Sequence, residues 1–133
     1  MLTTITRDEL RAKLDRGHDF VLVEALPEET FQHAHLPGAV NLPPERVGEL
    51  APELLPDKGV EIVVYCSDPA CPHSEEAARE LAEMGYKDVK DYVEGKVGWM
   101  RSGLPTERST ASDEPARGEE DARPSWWHRI FGG

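Results

Sequence analysis

Cysteine is nearly missing from this chain, which has two in 133 residues. Two thiols cannot staple a disulfide scaffold, and the opening residues lack the basic-then-apolar pattern of a secretory leader. A cytoplasmic setting is therefore expected, with the thiols left for nucleophilic, redox or metal chemistry, or for burial. Long apolar runs are absent as well, and none approaches the roughly 18 residues of a membrane span. Cations are scarce: 15 Lys and Arg stand against 26 Asp and Glu, a net charge of -11. That balance excludes nucleic acid, whose phosphates need a basic stripe, and reads as a device for solubility. Hydrophobic residues make up 38% of the chain, enough for one core and not for two.

What is present reads as one domain over residues 1–107, followed by a tail. Thr6 and Glu9 form a capping box, Ile5 can staple to Leu10 across it, and Gly17 closes the helix so begun. Phe20–Val23 is a short apolar run suited to a strand buried on both faces. Glu28 to His35 follows as a short helix, Val40–Leu42 as a brief strand, and Glu45 to Leu55 as a helical stretch broken by Pro52. Glu61–Tyr65 is the clearest strand. Ser74 is placed to cap the next helix, whose apolar positions Ala77, Ala78, Leu81 and Met84 repeat at helical spacing before Gly85 ends it. Val89–Val93 makes a further strand, and a last helix lies around Gly98 to Ser102. Strands alternating with helices imply a three-layer α/β/α domain around a central, mainly parallel sheet of about five strands.

Residues 108–124 change character: acidic, basic, Ser and Pro residues dominate, and no aliphatic larger than alanine occurs. Such a stretch cannot bury enough apolar area to offset chain entropy and is expected to be a disordered linker. Residues 125–133 turn apolar again, and Trp126, Trp127, Ile130 and Phe131 would share one side of a short helix. That side is expected to dock either on this domain or on a protein partner, in preference to a membrane surface. The chain is otherwise expected to be a monomer.

Ligand sites in parallel sheets lie beyond the carboxyl ends of the strands, and Cys66 stands at that place. The run Cys66-Ser67-Asp68-Pro69-Ala70-Cys71-Pro72-His73-Ser74 leads from strand to helix. A thiol facing a helix N-terminus is expected to have its pKa lowered, and the same N–H groups can cradle an anionic adduct. Inert packing of Cys66 at the strand end is the competing reading. Cys71 can act as a resolving thiol in a redox pair with Cys66, or stand in the loop without a partner. The His and Cys spacing does not form a four-ligand zinc set, so neither metal nor cofactor is expected.

These segments resemble rhodanese-like domains. Leu22-Val23-Glu24-Ala25, then His35-Leu36-Pro37-Gly38-Ala39-Val40, then Cys66 after its strand, and finally Gly95-Lys96-Val97-Gly98-Trp99-Met100-Arg101-Ser102-Gly103-Leu104-Pro105 follow the family's order. The resemblance implies the rhodanese fold and a sulfurtransferase cycle. Cys66 would take the outer sulfur of a small donor such as thiosulfate, carry it as a persulfide on the loop Ser67–Ser74, and pass it to a thiol acceptor or cyanide. A protein-interaction module of the same fold, or a Cys66/Cys71 redox sensor, is the alternative. The family loop commonly reads Cys-Arg-x-Gly-x-Arg-Ser. Here two more residues separate Cys66 from Ser74, and the loop has no Arg or Lys. Phosphatase chemistry is disfavoured, since Pro72 stands where a phosphate-clamping Arg would be. His35 is expected to be a structural hydrogen bonder, Trp99 a core residue, and Glu24 an orienter of neighbouring backbone.

Overall fold

The computed structural model describes residues 3–16 and 19–108. The closing Gly17, the acidic linker from residue 109 on and the Trp126/Trp127 segment lie outside the described residues. Five strands run in the order β1 (Thr3–Ile5), β2 (Phe20–Glu24), β3 (Val40–Asn41), β4 (Glu61–Tyr65) and β5 (Asp88–Tyr92) along the chain. Across the sheet the order is β1-β5-β4-β2-β3, and every pairing is parallel. The helices are α1 (Arg7–Arg16), α2 (Glu28–His33), α3 (Val47–Leu54), α4 (His73–Glu83) and α5 (Gly95–Arg101), with a 3-10 turn at Pro44–Arg46.

Alternation along the central strand divides the core in two. Ile62 and Val64 pack with Ala51, Ala77, Ala78 and Leu81 on the α3/α4 side of the sheet. Val63 and Tyr65 point the other way, to Leu10, Leu14, Tyr92 and Trp99 on the α1/α5 side. Residues i and i+2 of a strand share a face, so a strand covered by helices on both sides must be apolar throughout. β4 meets that demand from Ile62 to Tyr65.

The Thr6–Glu9 capping box forms as read. The Glu9 N–H donates to Thr6 Oγ1 at 3.1 Å, and the Thr6 N–H donates to Glu9 Oε1 at 2.9 Å. Three readings need correction. β1 carries no periodic signal in its three residues, and it exists because Thr3–Ile5 pairs with the edge at Lys90–Tyr92, far away in sequence. Pro52 does not break α3. Burial of Val47 and Ala51 outweighs the hydrogen bond that the proline cannot donate. The last helix starts a turn earlier than Gly98, at Gly95, because the Lys96 and Val97 N–H groups bond to the carbonyls of Cys66 and Ser67.

Candidate active site

β4 delivers Cys66 to the carboxyl edge of the sheet, where it is 2% exposed. The loop beyond it is held from two directions. Inside the loop, Asp68 accepts the N–H of Ala70 on its side chain at 2.9 Å and the N–H of Cys71 on its carbonyl at 3.0 Å. From outside, the first turn of α5 donates the Lys96 N–H to Cys66 O at 2.9 Å and the Val97 N–H to Ser67 O at 2.8 Å. Gly95 makes that contact feasible. Its φ is +73°, and a Cβ there would fall 2.7 Å from the carbonyl carbon of Ser67.

The loop places the predicted residues unequally. Pro69, Ala70 and Pro72 are exposed, while Ser67, Asp68, Cys71 and His73 are half-buried and Ser74 is buried. The Ala70 and Cys71 N–H groups are spent on Asp68, and the prolines have none. Of the others, the Ser67 and His73 N–H groups favour a charged Cys71, and the Ser74 N–H favours a charged Cys66. Ser74 does not cap α4 with its side chain. The helix begins one residue earlier, at His73, and Ser74 sits in its first turn. Its hydroxyl is freed for another use, accepting from the Cys66 thiol at 3.6 Å. The same thiol lies 3.3 Å from the Cys71 carbonyl.

The expected lowering of the Cys66 pKa is not what this environment produces. Burial pushes the thiol up to about 11, a hydrogen bond with the Cys71 side chain adds to this, and the Ser74 hydroxyl and N–H pull only partly back. For Cys71, burial acts upward too, but hydrogen bonds from Cys66, from the His73 N–H and from Ser67 bring it below the ordinary thiol value. Of the two thiols Cys71 is therefore the one that ionises more readily, and Cys66 the one that holds its proton longer.

A second buried cluster stands behind the loop. Glu24 is fully buried, accepts the Tyr65 hydroxyl at 2.6 Å and faces Lys96 Nζ at 3.1 Å. Lys96 also donates to the carbonyls of Thr30 and Ala34, and Tyr65 accepts the Leu36 N–H at 3.0 Å. Glu24 thus acts through side chains that hold the backbone of residues 30–36. Burial and the adjacent Glu24 carboxylate keep the Tyr65 hydroxyl well above its ordinary range. His35 stacks on Phe31 at 3.9 Å and donates Nδ1–H to its carbonyl at 2.9 Å, the structural role expected of it. Trp99 is buried, and its indole N–H donates to Pro105 O at 2.8 Å.

Two residues escaped the sequence reading. Lys96 is signalled by Glu24 itself, since a carboxylate ending an apolar strand requires a buried cation. Asp91 is signalled by alternation: it follows Val89 on the face of β5 that packs against α4, yet it is 7% exposed and charged. Asp91 has the Ser74 side chain as a neighbour that favours its ionised form, and its Oδ1 is buried without a hydrogen-bond partner. Asp91, Ser74 and Cys71 line a cleft of about 290 Å³ together with Thr4, Pro69, Glu75, Arg79 and Val93. Arg79, paired with Glu75 at 2.7 Å, brings to this cleft the positive charge that the loop lacks. A larger groove of about 550 Å³ between β1 and α1 is lined by no cysteine or histidine.

Comparison with known proteins agrees with this geometry. The rhodanese-like domain description matches residues 6–102. The HTH-type transcriptional regulator Rv0324 of Mycobacterium tuberculosis is 34% identical over 103 residues, covering 77% of this chain and 44% of its own length. The chain thus spans less than half of that relative. Thiosulfate sulfurtransferase 16, chloroplastic, of Arabidopsis thaliana is 32% identical over 113 residues, covering 77% of this chain and 88% of that protein. Among solved structures, a thiosulfate sulfurtransferase from Pseudomonas aeruginosa superposes with a TM-score of 0.76 at 28% identity, covering 92% of this chain and 24% of that one. A parallel five-stranded sheet that delivers a cysteine into a loop before a helix, with the family description matched over most of its length, makes this chain a member of the rhodanese-like domain family.

Proposed function

We propose that the chain is a sulfurtransferase that moves sulfane sulfur through a persulfide on Cys66. The observation that carries this reading is the place of Cys66: it is buried at the carboxyl edge of β4, with its thiol 3.3 Å from the Cys71 carbonyl and 3.6 Å from the Ser74 hydroxyl in the first turn of α4. Donors aimed at sulfur stabilise charge that appears there, on a thiolate or on a persulfide. Attack by Cys66 on the outer sulfur of a donor forms a new S–S bond and breaks the old one, whose electron pair leaves with the remainder of the donor. A thiol acceptor reverses the exchange. Cys71, ionised more readily and lining the cleft, is the second thiol: its thiolate can attack the outer sulfur of the Cys66 persulfide, and the Cys66 thiolate leaves with the electron pair of the broken S–S bond.

The donor preference follows from charge. The loop has no cation, Asp68 lies within it, and Arg79 is the one basic group lining the cleft among the described residues. A dianion such as thiosulfate is therefore expected to load slowly, and a persulfide donor faster. Intact masses of wild type, Cys66→Ser and Cys71→Ser after incubation with each donor test the reading. A gain of about one sulfur atom is expected in wild type and Cys71→Ser and not in Cys66→Ser. A loss of two hydrogens confined to wild type would instead indicate a Cys66–Cys71 redox pair. No mass change with any donor overturns the transferase reading.

A further inference from the structure

A carboxylate facing the core is costly unless something uses it. Asp91 pairs in register with Val64 on β4, and both face the apolar layer under α4. Another apolar side chain would fit that position without the several kcal/mol that burying a charge costs. Asp91 is nevertheless 93% buried, lines the same cleft as Ser74, whose side chain favours its ionised form, and keeps Oδ1 without a hydrogen-bond partner. Ser74 in turn accepts from the Cys66 thiol at 3.6 Å. The three side chains come from the loop after β4, from α4 and from β5, and Ser74 has the thiol on one side and the carboxylate as a neighbour on the other.

We propose that Asp91 is a positioning residue that takes the Cys66 proton through Ser74, rendering a deeply buried thiol nucleophilic. The proposal rests on the sulfur-transfer reading for its purpose, and not for its test. In the state that precedes transfer the Cys66 S–H turns from Cys71 to Ser74 Oγ, and the Ser74 O–H donates to the Asp91 carboxylate. On activation the S–H bond breaks with its electron pair left on sulfur. The proton moves to Ser74 Oγ as the Ser74 proton moves to Asp91. Both hydrogen bonds then run the other way: Asp91 donates to Ser74, and Ser74 donates to the thiolate. The thiolate attacks the donor's outer sulfur, and the leaving group carries off the electron pair of the broken S–S bond. No oxidant, reductant or further co-reactant is required.

The charged and titratable neighbours fit this role. Around the cleft α4 contributes Glu75 and Arg79, the loop contributes Cys71, and β1 contributes Thr4. Burial, opposed by the Ser74 side chain and aided by the Glu75 charge, raises the Asp91 carboxyl above its ordinary value, toward the range useful for a base.

The test follows iodoacetamide alkylation of Cys66 against pH in Cys71→Ser, where Cys66 is the only thiol. The same profile is taken after adding Asp91→Asn, and after adding Ser74→Ala. With the path intact, the alkylation rate is expected to level off toward acid pH, since the thiolate paired with protonated Asp91 is a fixed fraction of molecules at a given proton count. In either added variant the rate should keep falling about tenfold per pH unit, and sulfur loading at neutral pH should slow by at least about tenfold. Asp91→Asn should unfold at the same or a higher urea concentration, which a merely structural carboxylate would not allow. Parallel pH profiles in all three proteins overturn the proposal, as does a reactivity loss explained by lost stability. Failure of the sulfur-transfer reading is distinguishable: no donor then adds mass, while the alkylation profile is unaffected.

Discussion

At the scale of single residues, the buried ion pair of Glu24 and Lys96 is the strongest commitment behind the loop. Its side chains are 0% and 9% exposed, and each oxygen of Glu24 has a partner. Removing one member of such a pair leaves the other charge buried and unsatisfied, whereas removing both can be nearly neutral. Lys96→Met is therefore expected to cost about 3–5 kcal/mol. The double variant Glu24→Gln/Lys96→Met should recover a large part of that loss. Urea denaturation of the three proteins with unchanged slope reads the difference. Equal destabilisation in the single and double variants would mean that Lys96 matters for its contacts with the Thr30 and Ala34 carbonyls and not for Glu24.

At the scale of elements, α5 and the loop are coupled through one glycine. Gly95 and Gly103 both have positive φ, at +73° and +78°, yet a Cβ at Gly103 meets nothing within 4 Å while one at Gly95 strikes Ser67. Gly103→Ala thus carries backbone strain alone, about 1 kcal/mol. Gly95→Ala carries the strain and must also push the Cys66–Ser67 backbone off its two hydrogen bonds from α5, for a total of about 3 kcal/mol or more. Only Gly95→Ala should also alter the alkylation rates of Cys66 and Cys71, a comparison that mass spectrometry makes directly. This coupling also shows what the sequence could and could not convey. The α1 cap, β4 and the apolar face of α4 rest on local patterns, so they are legible in the residues. β1 and the start of α5 depend on bonds to segments far along the chain, which no local pattern encodes. Ser74 was noticed for its residue type and misread in role, because a cap and a thiol partner look alike until the helix start is known. Asp91 was legible in principle: a charge at an inward strand position is a contradiction within the sequence itself.

At the scale of the whole molecule, burial of ionisable groups fixes how stability responds to alkali. Cys66, Tyr65 and Tyr92 all hold their protons to higher pH in the folded chain than their ordinary values, in each case chiefly through burial. Consider the thiol. Unfolded, it loses its proton near the ordinary value of 9.0, while folded it keeps that proton up to about 11. Between those limits the unfolded state binds fewer protons than the folded state, so unfolding is increasingly favoured as pH rises. The two tyrosines act in the same direction at still higher pH. The contribution of each group is fully present below its unfolded pKa and is lost as pH climbs through the folded one. These three groups accordingly leave the melting temperature unchanged through neutral pH and make it fall above pH 9, the ordinary thiol value. Cys66→Ala removes the first of the three to titrate, so the onset of the decline should move toward the tyrosine range even if the variant starts from a lower melting temperature. Thermal melts of both proteins over this range decide the matter. Coincident onsets would mean that Cys66 ionises in the folded chain much as it does in the unfolded one, and that the loop opens to solvent before the sheet gives way.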